Sequence, residues 1–125
     1  MNVMTSYRRC SKAQIPTSPL NLKKTNLRLH FGGALRAART ARGLSQDAFN
    51  TVSSRTYVSS LERGQKSPTL DKVAQIASVL GLHPLTLHAY TFLRQPTPEE
   101  RIVLLRTIRA ELRQLLEHEA AKRNR

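Results

Sequence analysis

The sequence predicts an all-α chain, and three observations predict it. No stretch alternates apolar and polar residues as a half-buried strand does. Apolar side chains instead recur at steps of three and four. Ser or Thr stands before these stretches and Gly after them, which is how helices start and stop. The pattern describes five short helices over residues 27–95 and one longer amphipathic helix in residues 96–125.

In the first helix Phe31, Ala34, Leu35 and Ala38 share a face, Gly43 stands at its end, and Gly32-Gly33 reads as a loose entry. Ser45 caps a short second helix carrying Ala48 and Phe49, which Val52-Ser53-Ser54 breaks. Ser54 caps the third helix, whose inner side is Val58 and Leu61 and whose end is Gly64. Thr69 caps the fourth, with the stripe Val73, Ile76, Ala77 and Leu80 and the stop Gly81. His83-Pro84 opens the fifth, since Pro suits the first helical position. Leu85, Leu87 and Tyr90 of this helix are expected to pack back.

The last helix begins with Thr97-Pro98-Glu99-Glu100, a capping box with Pro in the first turn, and runs to about Lys122. Leu105, Ile108, Leu112 and Leu115 alternate steps of three and four, and Ile102 and Leu116 widen the stripe. Two readings stand: a helix lying on its own core, or the seam of a homodimer. Residues 1–26 carry Arg8, Arg9, Lys12, Lys23 and Lys24, no acid, and no periodicity, and read as a flexible basic arm. Translation from Met4 fits as well as from Met1.

The chain has 125 residues, room for one small domain and its extensions. It holds 21 Lys and Arg against 8 Asp and Glu, a net charge of +13, and each of the three segments is basic. Such a field attracts polyanions, without distinguishing DNA from RNA or an anionic membrane. The longest strictly apolar run is Ile102–Leu105, too short for a bilayer span, and no secretory signal opens the chain, so the expectation is a cytoplasmic protein.

A single cysteine, Cys10, excludes an internal disulfide and a Cys-based zinc cage, and it reads as a bystander. His83 and His88 are five apart with no carboxylate between them, His30 and His118 stand apart, and no Gly-rich phosphate loop exists. Asp47, Glu62 and Asp71 are the only acids of residues 27–95. No metal, cofactor or catalytic role is therefore expected.

Two short helices joined by a tight turn, the second capped and polar outside, make a unit that reads DNA. A helix fits the major groove, where each base pair shows a distinct pattern of donors and acceptors. Ser54-Arg55-Thr56-Tyr57-Val58-Ser59-Ser60-Leu61 has the required small polar and Arg residues at its start and apolar residues inside.

Leu35-Arg36 through Arg39, Gly43-Leu44-Ser45-Gln46, Tyr57-Val58-Ser59, Leu61-Glu62-Arg63-Gly64, Ser67-Pro68-Thr69-Leu70 and Ala77 with Leu80-Gly81-Leu82 follow one another in order. In this the sequence resembles the helix-turn-helix regulators of the Xre, Cro and lambda-repressor type, over roughly residues 30–92. One departure is plain. The interval from Gln46 to Glu62 is roughly two residues shorter than the commonest pattern, and Thr51-Val52-Ser53 replaces the usual turn. The second helix must then be shorter.

The resemblance implies a five-helix DNA-binding domain and assigns roles. Arg55, Thr56 and Ser60 fall at base-contacting positions, with Ser59 beside them. Arg55 suits guanine O6 and N7, and Thr56 offers a hydroxyl or a methyl to thymine. Gln46 falls where the family sets a Gln against a phosphate, with Ser45 and Arg42 close by. Arg63, Lys66 and Ser67 follow the reading helix and suit phosphates, and Tyr57 either lies on the DNA backbone or packs beneath the helix. Arg39 and Glu62 are expected to form a structural ion pair.

The expected function is a sequence-specific transcriptional regulator of bacterial or phage origin. It would act on double-stranded DNA as a homodimer, most simply as a repressor. The alternative is a DNA-binding antitoxin of a toxin–antitoxin pair, with the last helix or the arm as the contact for a protein partner. Antitoxin segments that cover a nuclease are often acidic, and these segments are basic, which favours the first reading.

Overall fold

The computed structural model describes residues 26–93 and 95–125. Among them every regular element is helical. They fall into two units, one ending at Arg94 and the other starting at Gln95. The basic arm (Asn26 apart), Cys10 and the choice of initiator lie outside the described residues.

The first unit holds α1 (Leu27–Ala41), a single 3₁₀ turn (Gln46–Phe49), α2 (Arg55–Glu62), α3 (Leu70–Leu80) and α4 (Pro84–Phe92). Side-chain caps set several starts. Asn26 accepts from Leu29 N–H, Ser54 from Tyr57 N–H and Thr69 from Lys72 N–H. His83 opens α4 by the same means: its Nδ1 accepts the Leu85 N–H at 3.1 Å. α3 stops at Gly81, which takes the left-handed conformation (φ 68°) that β-carbon-bearing residues resist.

The core is built as the apolar spacing directs. Phe31 and Leu35 of α1, Phe49 of the 3₁₀ turn, Val58 and Leu61 of α2, Val73, Ile76, Ala77 and Leu80 of α3 and Leu87 of α4 form one buried cluster. α1 packs on α2 and α4, and α3 on α4.

Three expectations are corrected here. Gly32-Gly33 is not a loose entry, because α1 begins at Leu27 and runs through both residues. Gly32 is buried, and a β-carbon there would stand 2.5 Å from the carbonyl oxygens of Leu61 and Glu62. This glycine lets the backbones of α1 and the end of α2 meet. Second, the segment after Ser45 is one 3₁₀ turn, and Ser45 precedes it without a side-chain cap bond. Third, Leu85 and Tyr90 do not pack back; they are exposed, and Leu87 and Thr91 are the buried residues of α4.

The second unit, among the described residues, is α5 (Pro98–Arg123). Thr97 Oγ1 accepts the Glu100 N–H at 3.2 Å, half of the expected capping box. The Glu100 carboxylate takes the Gln95 N–H rather than that of Thr97. Ile102, Leu105, Leu112, Leu115 and Leu116 are exposed, whereas Thr107 is buried and Val103 and Leu104 are half-buried. No helix of the described residues is long and apolar enough to cross a membrane.

Candidate nucleic-acid interface

The first turn of α2 shapes the site. Ser54 is extended (φ −70°, ψ 153°) and ties down the Tyr57 N–H, so Arg55 and Thr56 become the first two helical residues. Both are exposed. The Arg55 guanidinium leans toward Asp47 of the 3₁₀ turn at 3.5 Å, a solvent-facing contact that leaves it free to move. Ser59, one turn on, is half-buried. The three residues give one face a charged fork, a hydroxyl with a methyl, and a second hydroxyl.

Ser60 does not belong to that face. It is buried, and its hydroxyl donates to the Tyr57 carbonyl at 2.7 Å. The expectation of a base contact there is corrected: the α-helical turn points Ser60 toward the core.

Beneath the face lies a charged joint. Arg39 Nε is 2.6 Å from Glu62 Oε1, and Nη2 is 3.3 Å from Oε2. Arg39 also donates to the Leu44 carbonyl at 2.9 Å, and Gln46 Nε2 donates to Glu62 Oε2 at 2.6 Å. The Glu62 side chain is only 6% exposed and that of Arg39 14%. The joint ties together α1, the loop at Leu44, the 3₁₀ turn and α2. It engages the Gln46 amide in the protein, leaving one of its two hydrogens for an outside oxygen.

Tyr57 packs beneath the helix. It is half-buried against the core, with Lys66 Nζ 5.4 Å and Lys72 Nζ 5.9 Å from its ring centroid. Lys72 was missed by sequence reasoning. Its ammonium donates to the Val52 carbonyl at 2.7 Å and so holds the shortened turn before α2. Nothing in its surroundings in sequence marks that role. Arg63, Lys66 and Ser67 are exposed just beyond α2, and Arg42 and Ser45 are exposed at the end of α1 and before the 3₁₀ turn. Arg63 and Lys66 reach back to α2, Arg63 Nε donating to the Ser59 carbonyl and Lys66 lying over the Tyr57 ring.

A helix-turn-helix family profile matches residues 35–87. The control protein C.BamHI of Bacillus amyloliquefaciens is 38% identical over 69 residues, which cover 53% of this chain and 85% of that protein. The chain belongs to the helix-turn-helix family. A solved structure, the restriction-modification controller protein C.AhdI from Aeromonas hydrophila, is similar at 37% identity with a TM-score of 0.46, over 48% of this chain and 94% of that one. This helix-turn-helix protein is a DNA-binding transcriptional regulator of the Xre and lambda-repressor type. In this chain a 3₁₀ turn stands between α1 and α2. No observation favours the antitoxin reading.

Proposed function

We propose that this regulator binds a pseudo-palindromic operator as a homodimer and represses transcription by covering a promoter. The observation that carries the reading is the exposed first turn of α2, Arg55-Thr56, aimed by the Ser54 cap and bordered by Arg63, Lys66 and Ser67. Arg55 reads guanine through O6 and N7, Thr56 and Ser59 contact neighbouring base edges, and the bordering bases, Gln46 and Ser45 hold phosphates. Its relative is named a control protein, and we extend control of transcription to this chain. Its site of action in this reading is the cytoplasm, on bacterial or phage DNA, with no catalytic step.

The test is a salt series of fluorescence anisotropy. It compares duplex from the upstream region of the gene itself with scrambled duplex of equal composition. A preference of about tenfold or more (about 1.4 kcal/mol) that persists as salt rises is the expected result. Equal affinities that fall together would reduce the interaction to charge and overturn operator reading at that site.

A further inference from the structure

The exposed stripe of α5 has no role in the DNA-reading face. Its residues Ile102, Leu105, Leu112, Leu115 and Leu116 are between 44% and 65% exposed. The four-and-three steps of the stripe extend by one residue at each end, to Arg101 and Glu119. The full series, Arg101, Leu105, Ile108, Leu112, Leu115 and Glu119, runs in steps of four, three, four, three and four. It reads the same from either end, and its two ends carry opposite charge. We infer that α5 pairs with α5 of a second copy of this chain, and that the two helices run antiparallel. The inference deepens the dimer reading above, since it names the surface and its geometry.

Charge and shape decide the direction. In the antiparallel register Leu105 meets the partner's Leu115 and Ile108 meets the partner's Leu112. Arg101 then faces the partner's Glu119, twice by symmetry, and Ile102 faces the partner's Leu116. A parallel pair sets Arg101 on the partner's Arg101 and Glu119 on the partner's Glu119. It also leaves Leu116 against the partner's Glu111. The antiparallel arrangement places Arg109 and Glu111 near their own copies, but at exposed positions where salt screens the repulsion.

The register fixes a distance between the two copies. In this register Pro98 of one copy lies level with the partner's Lys122. The two helix starts, where the reading domains join, then stand about 36 Å apart at 1.5 Å per residue. A parallel pair would bring the two starts to about 10 Å, the spacing of packed helices.

The full chain is tested without DNA by sedimentation equilibrium. The wild type is expected to dimerise, and Leu105→Lys with Leu112→Lys to give a monomer whose circular dichroism remains helical. Arg101→Glu is expected to weaken the dimer about tenfold, and Arg101→Glu with Glu119→Arg to restore it. A spin label on Lys122→Cys, in a Cys10→Ser background, is expected to report a separation of about 36 Å or more between copies. A monomer at every concentration, a dimer that survives both lysines, no rescue by the charge swap, or a short label distance would each overturn the inference. An antiparallel dimer with no DNA preference would sink the operator reading alone.

Discussion

Glu62 is the residue on which the reading helix depends. Its carboxylate receives the Arg39 guanidinium on both oxygens and the Gln46 amide on one. Little water reaches this joint, so removing the carboxylate strands a cation with its partner gone. Glu62→Ala should lower stability by about 3 kcal/mol, and the thermal midpoint by about 10 °C or more, measured by denaturation. Arg55 stands in contrast, exposed and held only by a distant Asp47. Arg55→Ala should leave stability unchanged and cost about 1–3 kcal/mol of operator affinity, with little loss on scrambled duplex, measured by the same anisotropy titrations. An equal loss on both duplexes would assign Arg55 to the phosphates instead. Ser60 shows what residue type alone conceals. A serine in a polar stretch reads as solvent-facing, yet it lies three residues after Tyr57 and one before Leu61, on the inward side of α2.

At the scale of elements, caps and apolar steps made α2, α3 and α4 legible, because each boundary depends on neighbours in sequence. The Ser54 and Thr69 caps are such local facts. What escaped were contacts between elements. Gly32 resembles any flexible glycine until α2 is laid across it, although it stands three residues before the buried Leu35 and so shares its face. Lys72 is a plain basic residue until the shortened turn brings Val52 within reach. The two adjacent glycines of α1 offer a paired prediction. Gly32→Ala forces a β-carbon against two backbone carbonyls that cannot rotate aside, and should destabilise by about 1–3 kcal/mol. Gly33→Ala meets nothing within 4 Å and should stabilise by about 0.5–1 kcal/mol, because alanine is the better helix former. Urea titration of the two variants checks both signs. Equal effects would mean that α1 does not approach α2 as described.

Across the whole molecule the net charge of +13 acts on any polyanion, so affinity alone says little about sequence reading. The bases that border α2 separate the two contributions. Lys66 is exposed beyond the reading helix, with its ammonium over the Tyr57 ring, where a phosphate can take it without disturbing the core. A lysine that neutralises one phosphate releases its counterions, and that release gives binding its salt slope, about −0.9 per phosphate on B-DNA. Lys66→Ala should therefore weaken operator and scrambled duplex by the same factor and make the slope of log affinity against log salt shallower by about 1. The tenfold preference itself should persist, since it rests on Arg55 and its neighbours rather than on the rim. Should the slope stay unchanged while the preference falls, Lys66 would be reading bases, and the interface would extend beyond the first turn of α2.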